Sequence, residues 1–99
     1  MIIVMGTVRV PVENIEPIRP MMAKVIAATL QEDGCIAYAY SQDILDPELI
    51  HIAEKWRDKA ALQAHFQTEH MKVWAQERAN LGLFERKISM FEAAEGTEV

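Results

Sequence analysis

The sequence predicts a single α+β domain in which a four-stranded antiparallel sheet carries its helices on one face. Two observations predict this class. A chain of 99 residues has room for one hydrophobic core but not for two, and the period of its apolar pattern changes in the order β-α-β-β-α-β. This order is a split βαβ arrangement. It is assigned to residues 1–93, and the polar tail at residues 94–99 is expected to be flexible.

The first strand and the first helix follow from a change of period. Residues 2–10 alternate with period two and contain several β-branched side chains, which predicts a strand. Residues 14–31 place apolar side chains along one side of a helix, which an Asp-Gly pair ends. Regular helix is expected from Pro20 onward, because Pro17 and Pro20 disturb the first turn. The side chains expected on the inner side are Ile15, Ile18, Met22, Val25 and Thr29.

A hairpin is predicted in the middle of the chain. Residues 35–43 and 49–57 both alternate, and the turn Leu45-Asp46-Pro47 separates them. The side chains assigned to one face are Ile36, Tyr38 and Tyr40 in the first strand and Ile50, Ile52, Glu54 and Trp56 in the second.

Two short helices and a last strand complete the fold. Asp58 is an N-cap candidate for a helix at residues 59–67, and Thr68 is one for a helix at residues 69–80. Residues 83–93 form the last predicted strand. The side chains expected to face inward from the two helices are Leu62, His65 and Phe66, followed by His70, Val73, Trp74 and Leu81.

The second face of the sheet also carries apolar side chains. Ile3, Met5 and Ala39 lie opposite to the residues assigned to the helix side. Because an apolar sheet face needs a cover, we expect a homodimer in which this face packs against its copy.

Charge and composition exclude several classes of partner. Ten Lys and Arg residues stand against fifteen Asp and Glu residues, a net charge of −5, so nucleic acid is not an expected partner. No apolar run is long enough to cross a membrane, and no export signal is visible at the first residues. The single Cys35 cannot form an internal disulfide, which fits a cytoplasmic location. The four glycines form no phosphate-binding loop.

One group of residues could carry chemistry between the sheet and the last two helices. An imidazole has an ordinary pKa of about 6.5, which makes it a common general base for a phenol or an enol. We therefore assign His65 and His70 as candidate catalytic residues. The candidate substrate-binding residues are Tyr38, Glu54, Trp56, Phe66 and Trp74.

A structural interpretation competes with each of these assignments. A histidine on an apolar helix face is often a hydrogen-bonded core residue, and Trp56, Phe66 and Trp74 are often plain core. Glu54 could simply pair with Arg86 or Lys87 on a neighbouring strand. A zinc site is not expected, because the two histidines are five residues apart and the sequence suggests no acidic or thiol ligand beside them.

Three segments of the chain form a recognisable set. They are Asp33-Gly34-Cys35, residues 54–58 (Glu-Lys-Trp-Arg-Asp) and residues 60–72 (Ala-Ala-Leu-Gln-Ala-His-Phe-Gln-Thr-Glu-His-Met-Lys). These segments resemble the antibiotic biosynthesis monooxygenase family, in particular its quinol monooxygenase branch. The resemblance implies a ferredoxin-like fold that dimerises into an α/β barrel. It also implies that a small phenolic or quinol-type aromatic is oxidised by dioxygen without metal, flavin or haem, after His65 or His70 has removed a hydroxyl proton.

Other functions remain open at this point. The haem-degrading relatives use an Asn on the first strand, where this chain has Gly6 and Thr7, and haem is therefore not the expected ligand. The His65 to His70 spacing also resembles that of isomerases of phosphorylated autoinducer-2. The third possibility is a small-molecule binding module without catalytic activity, because a fold does not determine an activity.

Overall fold

The computed structural model describes all 99 residues and confirms the predicted α+β, ferredoxin-like fold. The elements in chain order are β1 (Ile2–Arg9), a 3-10 turn (Val12–Asn14), α1 (Ile15–Leu30), β2 (Cys35–Gln42), β3 (Leu49–Trp56), α2 (Lys59–Phe66), α3 (Glu69–Asn80) and β4 (Phe84–Glu92). The strands form one sheet in the order β2-β3-β1-β4, and every neighbouring pair is antiparallel. None of the helices combines the length and the apolar character that a membrane span requires.

Helix α1 begins earlier than the sequence suggested. It starts at Ile15 and runs through both Pro17 and Pro20. Pro17 is the third residue of the helix, where a backbone N–H has no partner within the helix in any case. Pro20 removes one hydrogen bond but does not end the helix, because the buried face on both sides of it packs on the sheet. The predicted inner side is confirmed by its buried residues Ile18, Met22, Val25 and Thr29.

The core consists of two clusters of buried side chains between the sheet and the helices. The larger cluster contains Val8, Val10, Ile18, Met22, Val25, Ile50, Ile52 and Trp74. The smaller cluster contains Ile2, Val4, Tyr38, Trp56, Ala61 and Leu62. Members of both clusters line one cavity, which places that cavity in the middle of the domain.

Strand β2 departs from simple alternation at its start. A bulge between Cys35 and Ala37 shifts its register against β3, as one extra residue in a strand does. Cys35 consequently packs against the smaller core cluster, while Ile36 is 54 % exposed. The prediction that Ile36 faces the helices is therefore wrong, whereas Tyr38 lies on the helix side as expected, 4 % exposed.

The inner side of α3 also differs from the expected set. Trp74 is buried and Leu81 packs against the core, as predicted, but Val73 is 44 % exposed. Met71 takes the inner position in its place. The helix is thus rotated so that His70 lies at the edge of the buried face, with 26 % of its side chain exposed.

Strand β4 lies unusually close to β1. Gly6 is paired with Ile88, and a Cβ atom at Gly6 would overlap the backbone of Lys87 and Ile88. Only glycine permits this approach. The absence of a side chain at Gly6 is therefore explained by the packing of the two strands.

The face of the sheet opposite to the helices is uncovered and carries a group of apolar side chains among polar ones. Met5 on β1 and Phe91 on β4 lie on this face in adjacent rows of the sheet, and they are 55 % and 52 % exposed. This is the face on which the sequence predicts a second copy of the chain.

Candidate active site

The junction between α2 and α3 determines where the two histidines lie. Asp58 caps α2 by accepting a hydrogen bond from a backbone N–H in the first turn, and Thr68 caps α3 in the same way. Both predicted caps are thereby confirmed. The Thr68 hydroxyl also donates to the carbonyl of His65 at 2.8 Å, which ties the end of α2 to the start of α3. His65 therefore lies in the last turn of one helix and His70 in the first turn of the next.

A carboxylate from a distant part of the chain joins the two histidines. One oxygen of Glu32, Oε2, lies 2.7 Å from Nδ1 of His65 and 2.7 Å from Nε2 of His70. The expectation that no acidic group lies beside the histidines is wrong, because the turn after α1 brings Glu32 to them. The reasoning from sequence missed this residue.

The Glu32 contact selects one tautomer of His65. A carboxylate only accepts hydrogen bonds, so Nδ1 of His65 carries the proton and donates it to Glu32. The other ring nitrogen, Nε2, then bears a free electron pair. This atom is buried and has no hydrogen-bond partner, which is an uncommon state for a buried polar atom.

Burial keeps His65 neutral. Its side chain is 0 % exposed, and desolvation lowers its pKa below the ordinary value of 6.5. The contact with Glu32 raises the pKa in the opposite direction, and the charge of His70 lowers it further. The net effect is a neutral imidazole at pH 7, in which Nε2 carries no proton.

Glu32, His65 and His70 are also the residues that could hold a metal ion. Their ligand atoms lie within 4.8 Å of one another, and two imidazoles with one carboxylate are a ligand set used by zinc and by non-haem iron. In the structure the same atoms satisfy one another through the two hydrogen bonds to Glu32.

A cavity of about 400 Å³ opens beside His65 between the sheet and the helices. This volume is in the usual range for sites that bind small organic molecules. Most of the lining is apolar, and the polar side chains in it are Tyr38, Tyr40, Glu54, His65, Arg78, Arg86 and Ser89. Of the predicted site residues, Tyr38, Glu54, His65, Phe66 and Trp74 line the cavity, whereas His70 and Trp56 do not. The prediction that Phe66 faces inward is wrong, because its side chain is 54 % exposed and borders the cavity from the surface.

Trp56 lies behind the cavity and supports two of the residues that line it. Its indole N–H donates to Oε1 of Glu54 at 2.9 Å, and its ring centroid is 4.7 Å from that of His65. Burial raises the pKa of Glu54, an effect that the Trp56 hydrogen bond and the charge of Arg86 partly offset. The suggested ion pair between Glu54 and Arg86 does not form within 4.0 Å.

Two tyrosines place a pair of hydroxyl groups at the cavity. The oxygens of Tyr38 and Tyr40 are 2.6 Å apart, and the Tyr38 ring centroid is 5.4 Å from that of His65. Burial raises the pKa of both phenols, so they remain protonated and act as hydrogen-bond donors at neutral pH.

The fold and this site define a small α+β domain with an apolar ligand cavity and a buried, carboxylate-bound histidine. The sequence profile of the antibiotic biosynthesis monooxygenase family matches residues 1–77. The chain therefore belongs to this family, as its resemblance suggested.

Individual relatives agree with this membership. A protein of Escherichia coli K12 named "probable quinol monooxygenase YgiN" is 36 % identical over 62 residues, which cover 54 % of this chain and 60 % of that protein. The Synechocystis protein sll1783 is 28 % identical over 95 % of this chain and 64 % of its own length. The chain thus spans less than two thirds of both curated relatives.

Solved structures extend the likeness over the whole fold. A crystal structure from Deinococcus radiodurans, described as a "putative antibiotic biosynthesis monooxygenase", superposes with a TM-score of 0.92 at 28 % identity. The match covers 100 % of this chain and 98 % of that one.

Proposed function

We propose that the protein is a monooxygenase that oxidises a small phenolic or quinol-type aromatic with dioxygen, with His65 as the general base. One observation carries the proposal. Nε2 of His65 is buried and without a partner, its ring lines an apolar cavity, and Glu32 holds the opposite nitrogen. The family and the name of the Escherichia coli relative support the reaction class.

The reaction needs a base and an enclosed space. Nε2 of His65 takes the proton of a ring hydroxyl, and the resulting anion transfers electrons to dioxygen. A carbon–oxygen bond forms at a ring carbon that bears hydrogen, and cleavage of the O–O bond leaves one oxygen there as a carbonyl and releases the other as water. The substrate loses two hydrogens and supplies all four electrons, so the scheme requires no cofactor.

The remaining candidate residues take different parts in this scheme. Phe66 and Trp74 line the cavity and shield the substrate anion from water, and Tyr38 is placed to donate a hydrogen bond to the ring oxygen. Trp56 and His70 act without touching the substrate: Trp56 positions Glu54, and His70 fixes the carboxylate of Glu32. Between the two histidines considered from the sequence, the geometry favours His65 as the base.

Oxygen uptake with a panel of hydroquinones and naphthols tests this function. Oxygen-dependent formation of a quinone, with one atom of ¹⁸O₂ in the product, is the expected result. Conversion of a phosphorylated substrate without oxygen would instead indicate an isomerase, and saturable binding without conversion would indicate a binding module. Activity that a chelator abolishes and added Fe²⁺ restores would contradict the cofactor-free scheme and assign Glu32, His65 and His70 to a metal.

The pH profile tests the part played by Glu32. Because a neutral His65 is required and burial lowers its pKa, kcat/KM is expected to be constant above pH 6.5 and to fall only when the pH drops through the lowered pKa. Glu32→Gln removes a group that raises this pKa, so the acid limb should move to still lower pH. The rate should also fall by about tenfold, because the tautomer is no longer fixed.

A matched control separates this effect from a general loss of charge. Asp33→Asn removes the neighbouring carboxylate, which is 90 % exposed and pairs with Arg57. It should leave the pH profile unchanged. An acid limb that moves equally in both variants would contradict the role assigned to Glu32.

We also propose that the protein works as a homodimer through the open face of the sheet. Large apolar side chains are exposed there, with Met5 and Phe91 each more than half accessible, and burial of such a face is favourable. Sedimentation velocity should give twice the mass of one chain, and a monomer at micromolar concentration would exclude this assembly.

A further inference from the structure

Two arginines that line the cavity have no carboxylate within ion-pair distance. Arg78 on α3 and Arg86 on β4 both line it. Neither takes part in an ion pair within 4.0 Å or in a side-chain hydrogen bond, although Arg9, Arg19 and Arg57 each pair with a carboxylate. The chain has a net charge of −5, so carboxylates outnumber basic side chains. Two arginines that line one mostly apolar cavity are therefore not explained by an excess of basic residues.

The charge of Arg86 is unfavourable for the partly buried Arg78. Burial and, after it, the charge of Arg86 lower the pKa of Arg78, because a charged group loses hydration on burial and like charges repel. Glu54 is the acidic residue in the lining, but its Oε1 accepts the hydrogen bond of Trp56. An anion bound between the arginines would offset this unfavourable arrangement.

The backbone positions of the two arginines are well separated from those of the candidate base. Arg78 is eight residues beyond His70 on α3, about 12 Å along the helix axis, and His70 shares a carboxylate with His65. On β4, Arg86 is four residues from Met90, about 13 Å along the strand, and Met90 is in the sheet row of Val4, Glu54 and Tyr38. The long arginine side chains act on that row from a distance, since the charge of Arg86 acts on Glu54 and that of Arg78 on Tyr38. One cavity is therefore lined by both the imidazole and the two cationic groups.

We infer that the ligand of this site carries an anionic group, a carboxylate or a phosphate, which Arg78 and Arg86 bind while its hydroxyl faces His65. The inference rests on the proposed function for the role of His65 and adds the substrate class, which is an acidic hydroxyaromatic. Guanidinium groups suit this purpose because their forked N–H donors match the oxygens of both anions.

Calorimetric titration under argon, with three ligands of matched shape, tests the inference. The ligands are 2-naphthol, 6-hydroxy-2-naphthoate and 6-hydroxy-2-naphthyl phosphate. At least one anionic ligand should bind about tenfold or more tightly than 2-naphthol, in line with charge-assisted hydrogen bonds, and the better of the two identifies the anion. Equal affinity of all three ligands, or binding of none, would overturn the inference.

Substitutions test whether the two arginines cause the preference for anionic ligands over 2-naphthol. Arg78→Gln and Arg86→Gln should each reduce this preference, and the double variant should abolish it. The affinity for 2-naphthol should be retained in all three variants. Arg19→Gln removes the same charge from a residue outside this cavity, paired with Glu16, and should change nothing. A preference that survives in the double variant would contradict the site.

The arginine site and the proposed reaction can be contradicted independently of each other. A protein that prefers the anionic ligands but consumes no oxygen contradicts only the proposed reaction. A protein that oxidises neutral naphthols without preferring the anionic ones contradicts only the arginine site.

Discussion

Replacement of His65 by alanine is expected to lower kcat/KM for oxygen consumption by about 10²- to 10⁴-fold, the usual contribution of a general base. The physical reason is that Nε2 of His65 is the one buried imidazole nitrogen without a hydrogen-bond partner, on a residue that lines the cavity. The protein should still fold, at reduced stability, because the change removes one buried side chain but leaves both core clusters intact. Oxygen-electrode rates together with far-ultraviolet circular dichroism measure both effects.

Two further variants make this result specific. His65→Gln retains an N–H that can donate to Glu32 but has no basic nitrogen, so it should be as inactive as the alanine variant. His51→Ala removes a histidine that is 48 % exposed and bound to Asp43, and it should keep full activity. Normal oxygen uptake by folded His65→Ala would eliminate this residue as the base.

Replacement of Trp56 by alanine is expected to cost about 3–5 kcal/mol of unfolding free energy, as large-to-small changes at buried aromatic residues do. Trp56 is 0 % exposed and lies in the smaller core cluster. Its loss also leaves the buried carboxyl of Glu54 without its indole donor. Since a domain of this size has a total stability of about 5–15 kcal/mol, a large part would be lost, as measured by urea denaturation.

The phenylalanine variant divides this cost into its two parts. Trp56→Phe keeps most of the aromatic volume but removes the N–H, and it should cost about 1–3 kcal/mol, the penalty for an unsatisfied buried polar group. If both variants have the same urea midpoint of unfolding as the parent, the indole of Trp56 contributes neither packing nor a hydrogen bond to the stability of the core.

The order of the elements was predictable because most of the chain has a clear period. Alternation located the four strands, helical spacing placed Ile18, Met22 and Val25 on the buried side of α1, and Asp58 and Thr68 capped their helices as expected. The failures are local. The bulge at the start of β2 interrupts the alternation without a Gly or Pro signal in the sequence, and a single-residue shift moves every preceding side chain to the other face.

The site was less predictable because its central residue comes from a turn. Glu32 is 33 residues from His65 and belongs to no periodic pattern. A signal nevertheless existed in the hairpin, since the pairing of Cys35 with Trp56 brings the residues before β2 close to those after β3. Arg78 was overlooked for a different reason: a charged residue on a helix is usually solvated, and only the packed structure shows that this one faces the cavity.

Strand β4 gives the cavity an unusual boundary. It is hydrogen-bonded to β1 along one edge only, and nearly all of its residues are exposed, yet Arg86, Ile88 and Met90 border the ligand space. The rim of the cavity is thus built on an edge strand, whereas the candidate base is on a helix and is tied to Glu32 at the other end of the fold. Opening of this rim would need only the separation of β4 from β1, while the ladder between β1 and β3 stays paired.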